Sequence, residues 1–298
     1  MIKESNTYPR KNALVVLNYN DSTTTASFLQ LVKKYSSIDH IIVVDNCSTD
    51  DSYRILKNYE STKIEVIKSP QNGGYAFGNN IGCTYAMKRY NPDVLFVSNP
   101  DVSFNEDIIQ DLENVFDEDN TIGVAAPIVN QGYNVWNLPS FLGVLESILL
   151  IWFNLDKKAL KESLLRKKQR WTKVGVVEGS FFAIKTSAFK KVKGFDERTF
   201  LYYEENMLAH KLSNFGYKVV VLNNKRYNHN HSVSIKKSYR TKVRAFKHFH
   251  HSMQLYISDY LKCNGIQKMI FEFVFAFGYL ERIIYDCISS IKYFCRFK

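Results

Sequence analysis

The feature that most constrains this chain is a repeated handover from a short apolar run to a polar cluster and then to a helix-like stretch. Ala13–Leu17 leads into Asn18-Tyr19-Asn20-Asp21, and Ile41–Val44 leads into Asp45-Asn46-Cys47-Ser48-Thr49-Asp50-Asp51-Ser52. Helical stretches are predicted behind them, over 27–35 and 52–59, and a further strand over 64–67 precedes a helix from about 75 to 89. β-branched runs alternating with helices make βαβ units, whose right-handed crossovers generate a parallel sheet. The fold class is therefore α/β, and ligands are expected at the carboxyl edge of the strands.

The apolar run Val94–Ser98 stops at Asn99-Pro100-Asp101, which puts a carboxylate at that edge. Asp101 reads as a metal or phosphate residue, although Asn-Pro-Asp is also an ordinary turn after a strand. The segment Ser69-Pro70-Gln71-Asn72-Gly73-Gly74-Tyr75-Ala76-Phe77-Gly78-Asn79-Asn80 opens the third helix. Its glycines suit either a phosphate at a helix start or a close backbone approach.

Four ordered segments, Leu17-Asn18-Tyr19-Asn20, Val44-Asp45-Asn46-Cys47-Ser48-Thr49-Asp50, Asn72–Asn80 and Asn99-Pro100-Asp101, resemble those of family-2 glycosyltransferases of GT-A fold. The likeness is to rhamnosyltransferase-like members that build bacterial surface polysaccharides, and it covers roughly residues 10–235. It implies a mostly parallel central sheet flanked by helices and an inverting sugar transfer from a nucleotide sugar, a UDP- or dTDP-sugar, to a lipid-linked or other glycan acceptor. On that likeness the donor side comprises Leu17, Tyr19, Asn20, Asp45, Asn46, Gly73, Gly74, Asn79, Asn80 and Asn99. Asp45 would meet the base or ribose, and Asp101 would hold Mg²⁺ or Mn²⁺ on the diphosphate. A hard cation prefers oxygen ligands and neutralises the charge growing on the leaving group. The family's metal motif has two acids, whereas position 99 is Asn, so Asp101 is its one charged ligand.

In the second half, Val174–Ile184 reads as a strand broken by Gly179, where the backbone must pass close to something. The resemblance places Glu178, Gly179 and Ser180 on the acceptor side. It also matches Tyr203-Glu204-Glu205-Asn206-Met207-Leu208 to a Tyr-Glu-Asp-x-Asp-Leu element. Glu205 then occupies the position of the catalytic base, with Glu204 as its neighbour and Met207 where a further acid is expected. Such a base takes the proton of the acceptor hydroxyl as it attacks. On isolated spacing, Glu204 and Glu205 read first as acids favoured at a helix start, and the flanking Phe195-Asp196 and Tyr202-Tyr203 reverse that reading. His229 and His231 follow a strand over 218–222 and a short polar turn. Either could complete the metal site, since imidazole ligates Mn²⁺. The later His248, His250 and His251 read as a surface or groove feature.

The 298 residues suit one elaborated domain, residues 1–235, with a nucleotide-binding half over 10–130 and an acceptor half over 131–235, followed by a helical C-terminal extension over 236–298. The loop 130–139 is a candidate for specificity. Five cysteines form no CxxC pair and point to reduced thiols, and the polar opening twelve residues lack the apolar core of a signal peptide. Residues 233–298 carry 12 Lys or Arg against 4 Asp or Glu, and a second basic stretch, 157–173, follows the apolar 141–153. Basic regions beside apolar ones point to an anionic membrane surface. The apolar run Met269–Leu280 is shorter than the roughly 20 residues of a spanning helix, which suits an interfacial helix or one packed on the domain or on a second copy in a homodimer. The expected location is cytoplasmic, peripheral at the inner face of the cell membrane. No nucleic-acid module is present, because the aromatic residues sit in apolar runs and not among basic ones. A sugar-phosphate nucleotidyltransferase and a catalytically silent assembly partner are the rival readings.

Overall fold

Successive residues of the first strand, β1 (Asn12–Asn18), are buried on both sides: Ala13 and Val15 pack into one apolar cluster, Leu14 and Val16 into another. A strand buried on both faces belongs to the middle of a sheet covered by helices on each side. That is what the computed structural model shows. It describes residues 10–149, 163, 168–230 and 242–295, with the side chains of 242–245 and 285–295 left out of the description. His231 and most of the basic stretch 157–173 lie outside the described residues.

In chain order the sheet elements are β1, β2 (His40–Asp45), β3 (Ile64–Lys68), β4 (Val94–Ser98), β5 (Val102–Ser103), β6 (Ile122–Val129), β7 (Val135–Trp136), β8 (Trp171–Val174), β9 (Val176–Val177), β10 (Phe181–Lys185) and β11 (Lys218–His229). The main sheet runs β3-β2-β1-β4-β10-β6-β11-β5, with β8 also on β11, and β7 pairs with β9 apart from it. The first four strands of that order are mutually parallel, as the βαβ pattern requires. From β10 onward the sheet is mixed, because β10 runs antiparallel to both β4 and β6.

The helices are α1 (Ser22–Val32), α2 (Ser52–Lys57), α3 (Gly74–Tyr90), α4 (Asp107–Glu118), α5 (Phe141–Ile148), α6 (Thr186–Lys191), α7 (Glu204–Asn214), α8 (Lys242–Leu255) and α9 (Gly265–Cys295). Helix α1 begins five residues before the expected start. Its Ser-Thr-Thr-Thr opening has poor helix propensity, but Thr24 bonds to Asp21 and Thr25 to Asn18, which anchors that turn. The expected strand over 174–184 is three short strands, interrupted at Gly175 and at 178–180. The expected strand 218–222 continues, through an irregularity between Leu222 and Arg226, as far as His229.

The glycines of α3 serve close approach. A Cβ at Gly74 (φ +87°) would lie 1.9 Å from the Phe200 carbonyl oxygen, and one at Gly78 would lie 2.3 Å from Leu17 Cδ1. The C-terminal helices are not a free appendage. Phe246, Met253, Tyr256 and Phe271 form a third apolar cluster with Val144 of α5 and with Tyr203 and Met207 at the start of α7.

Candidate functional site

The site lies beyond the carboxyl ends of β1, β2 and β4. Short strand β5 pairs with the last residues of β11, His229 opposite Val102, and the Asn230 amide donates to the Asp101 carbonyl at 2.9 Å. This pairing carries His229 to the end of the Asn99-Pro100-Asp101 turn. Its Nε2 stands 3.3 Å from Asp101 Oδ1, and both side chains are buried. On the other side of the ring, Nδ1 stands 3.5 Å from Glu178 Oε2. Burial alone would lower the His229 pKa, but hydrogen bonding and charge from Asp101 and Glu178 outweigh it and push the pKa up to about 9.

The donor set fits a divalent cation. Asp101 Oδ1 is buried and faces the His229 imidazole at 3.3 Å, so a carboxylate oxygen and an imidazole nitrogen, both usable as ligands, sit side by side away from solvent. Neighbouring ligands of an octahedral ion with bonds near 2.1 Å stand about 3 Å apart, close to the Asp101–His229 separation. Among the described residues no group of three His, Cys, Asp or Glu side chains could hold a metal. Asp101 and His229 would supply two ligands, and such ions commonly take substrate phosphate and water as the rest.

Residues 178–180 link this corner to a second one. The Ser180 hydroxyl donates to Glu178 Oε2 at 2.9 Å and lies 2.7 Å from the Tyr227 hydroxyl, while the Ser180 carbonyl accepts from the Asn99 amide at 2.8 Å. The Gly179 amide donates to Glu205 Oε1 at 3.0 Å, and its carbonyl accepts from the Tyr75 hydroxyl at 2.5 Å. Glu205 is half-buried at the first turn of α7. Glu204 beside it points inward, 2% exposed, with Oε2 lacking a hydrogen-bond partner. Burial first, and the Glu205 charge second, raise the Glu204 pKa well above the usual carboxylate range. The two adjacent acids therefore differ in surroundings: Glu204 faces the protein interior and Glu205 the Gly179 amide. Met207 is fully buried against the C-terminal helices, which accounts for an apolar side chain where an acid was expected.

The corner around Asp45 is more closed. Asp45 is fully buried, its Oδ2 accepting from Asn18 and its Oδ1 from the Ser48 amide. Asn46 donates to Asn72 and to the Gly74 carbonyl, and Asn20, at φ +51°, pairs with Thr49. Tyr19 is exposed beside them. Leu17 packs under Gly78. Asn79 is buried and donates to the Tyr75 carbonyl, while Asn80 bonds to the Phe195 backbone and to Glu197. Asn80 thus fastens α3 to the 195–197 segment, whereas Asn79 bonds within its own helix, and Gly73 sits at the helix start against the Phe77 ring.

Comparison with known proteins bears on the family and the fold. The model of glycosyl transferase family 2 matches residues 13–193, well over half of the chain. The chain belongs to glycosyl transferase family 2. This family-2 chain is 26% identical over 194 residues to the low-salt glycan biosynthesis hexosyltransferase of Haloferax volcanii, covering 65% of the chain and 58% of that protein's length. It is 23% identical over 229 residues to the O-antigen chain rhamnosyltransferase WbaN of Salmonella anatum, covering 76% and 68%. Among solved structures, a mannosyltransferase from Pyrobaculum calidifontis in complex with GDP-Man and Mn²⁺ matches with TM-score 0.56 at 15% identity, over 85% of this chain and 66% of that one. GalNAc-T7 with UDP, GalNAc and Mn²⁺ matches with TM-score 0.60 at 16% identity, over 94% and 57%. These likenesses establish a GT-A fold for the family-2 chain.

Some partners escape a sequence reading. Tyr75 and Tyr227 each bond to the 178–180 segment from more than forty residues away, and Trp136 Nε1 donates to Asn206 Oδ1 at 2.7 Å, tying β7 to α7. Tyr75 lies inside the glycine-rich segment, where its spacing carries no hint of the hydroxyl's target.

Proposed function

We propose that this protein transfers one sugar from a nucleoside-diphosphate sugar to a hydroxyl of a lipid-linked or other glycan acceptor, inverting the anomeric centre. The observation that carries this reading is the 178–180 segment, which joins the Glu205 carboxylate to the Asp101–His229 pair through consecutive residues. A base for the acceptor and a cation corner for the leaving diphosphate are the two requirements of such a transfer.

Glu205 takes the proton of the attacking hydroxyl at its carboxylate, while the Gly179 amide fixes the orientation of that carboxylate. Asp101 and His229 would hold a divalent cation, which when bound offsets charge on the departing diphosphate. Tyr19 and the Asn18–Asp45 corner take the nucleoside, and the 130–139 loop, whose β7 lies against β9, contributes to acceptor choice.

Membrane contact is part of the same proposal. No helix among the described residues is long and apolar enough to cross a membrane. Helix α9 nevertheless presents an apolar stripe to solvent, Ile266, Met269, Phe273, Phe277, Leu280 and Ile284, from 50% exposed at Ile284 to 77% at Phe273. Its other face, at Phe271 and Phe275, is buried against α8. A one-sided stripe in a region with a basic excess of 8 suits the surface of an anionic bilayer, where a lipid-linked acceptor resides.

The test is release of nucleoside diphosphate from UDP-, dTDP- and GDP-sugars with Mn²⁺ or Mg²⁺ and a lipid-linked acceptor extract. Release from one donor, lost in both Glu205→Gln and Asp101→Ala, is the expected result. Undiminished release in Glu205→Gln would remove Glu205 as the base, and silence across the panel would favour an assembly partner.

A further inference from the structure

We infer that Glu178 is a positioning residue that aims the His229 imidazole at a divalent cation. The inference rests on the proposed cation corner and deepens it, giving Glu178 a task different from the acceptor contact expected from sequence.

An imidazole ligand binds through a lone pair lying in the plane of its ring. A free ring rotates about its χ2 bond, so the lone pair is aimed only if the other nitrogen is held. In this structure Nε2 of His229 faces Asp101 and Nδ1 faces Glu178 Oε2 at 3.5 Å. A proton on Nδ1 directed at that carboxylate leaves Nε2 as the ligand on the Asp101 side.

Glu178 is itself held. Its amide donates to the Asn134 carbonyl at 2.8 Å, and its Oε2 accepts from the Ser180 hydroxyl at 2.9 Å. Ser180 is 1% exposed, and its hydroxyl lies 2.7 Å from that of Tyr227. Tyr227 and His229 are two residues apart on β11, a spacing that puts side chains on one face of a strand. The contacts therefore form a closed ring, from His229 to Glu178, Ser180 and Tyr227 and back along two residues of strand. From this ring the Nε2 edge of His229 faces Asp101. The Ser180 hydroxyl and the His229 imidazole both face Oε2, so that oxygen is engaged inside the protein.

The experiment uses the full chain and Mn²⁺ alone, with free Mn²⁺ read by electron paramagnetic resonance and directly bound nitrogen read by the ¹⁴N modulation of the bound signal. Glu178→Leu is expected to weaken Mn²⁺ binding by about 10–100-fold, the usual effect of losing such a partner, and to lose the ¹⁴N modulation. Glu178→Gln keeps an acceptor for Nδ1 and is expected to retain the modulation with an intermediate affinity. Ser180→Ala, which frees Glu178 without touching the imidazole, is expected to weaken binding less than Glu178→Leu; it carries the test together with Glu178→Gln if Glu178→Leu does not fold. Wild-type affinity in all three variants overturns the inference. Weaker binding with the ¹⁴N modulation intact in Glu178→Leu also overturns it, because Glu178 would then be a direct ligand. Unchanged Mn²⁺ binding in both Asp101→Ala and His229→Ala is a different failure, that of the cation corner itself.

Discussion

The amide of Gly179 donates to the Glu205 carboxylate at 3.0 Å, so the proposed base is oriented by main chain from the opposite side of the site. A Cβ at position 179 would stand 2.6 Å from the Tyr75 hydroxyl oxygen and 2.9 Å from Glu205 Oε1. Gly179→Ala should therefore displace the base while leaving the sheet intact. The expected outcome is a fall in kcat of about 10²-fold, the scale of a misplacement near 1 Å, with Tm close to wild type. Steady-state kinetics beside a melting curve check it.

The neighbouring glutamates should respond oppositely to amidation. Glu204 is buried, with its pKa raised by burial and then by Glu205, and Glu204→Gln keeps its shape without adding a charge to the interior. Activity is expected to stay within a few-fold of wild type. Glu205→Gln removes the proton acceptor and should cost about 10²–10⁴-fold in kcat. Nucleoside diphosphate release measured on the two purified variants distinguishes them.

A pH effect unrelated to catalysis is expected at the far edge of the sheet. Burial pushes the Glu113 pKa up to about 7 from an ordinary 4.5, against a hydrogen bond from Asn12 and the charge of Arg10. The unfolded chain then loses this proton near pH 4.5 while the folded chain keeps it to about 7. Stability consequently falls as pH rises through that window, by about 1–2 kcal/mol after allowance for solvent screening. Glu113→Gln keeps an acceptor for Asn12 and should raise Tm at pH 8 relative to wild type while changing little at pH 4. Thermal melts across pH 4–8 measure this directly.

The turn before α7 depends on the C-terminal helices. Tyr202 and Tyr203 both adopt left-handed φ, 74° and 69°, which is unfavourable for an aromatic residue. Phe249 of α8 packs edge-on against both rings, and Ser252 donates to the Leu201 carbonyl at 3.0 Å. Phe246→Ala, in the same cluster, should cost about 3–5 kcal/mol of stability and lower kcat as the turn relaxes. Chemical denaturation and turnover at a temperature where the variant is folded test the two halves of this statement.

The stripe on α9 should separate location from chemistry. Phe273→Asp with Phe277→Asp changes exposed positions only. Tm and release with a water-soluble acceptor are expected to match wild type, while sedimentation with vesicles containing phosphatidylglycerol is lost. Retained vesicle binding would refute the proposed membrane face.

Much of this architecture was legible because strand-end polarity repeats locally. The four parallel strands, α3 and the placement of Asp101 at a sheet edge follow from periodicity and from turn chemistry within about twenty residues. What periodicity cannot carry is long-range pairing. The antiparallel β10 is inserted between β4 and β6, and β11 runs past its irregularity to bring His229 to Asp101; both depend on tertiary partners. Burial likewise separates Glu204 from Glu205, although the two are adjacent and of the same chemical type.

The fit of Gly74 against Phe200 has a mechanical consequence. The Tyr75 amide donates to the Phe200 carbonyl at 3.0 Å, where Gly74 leaves no room for a side chain. The loop that opens α3 and the turn that launches α7 are thereby riveted together. On the proposed function, the donor-side loop and the proposed base thus share one joint, so a side chain at position 74 would disturb both at once.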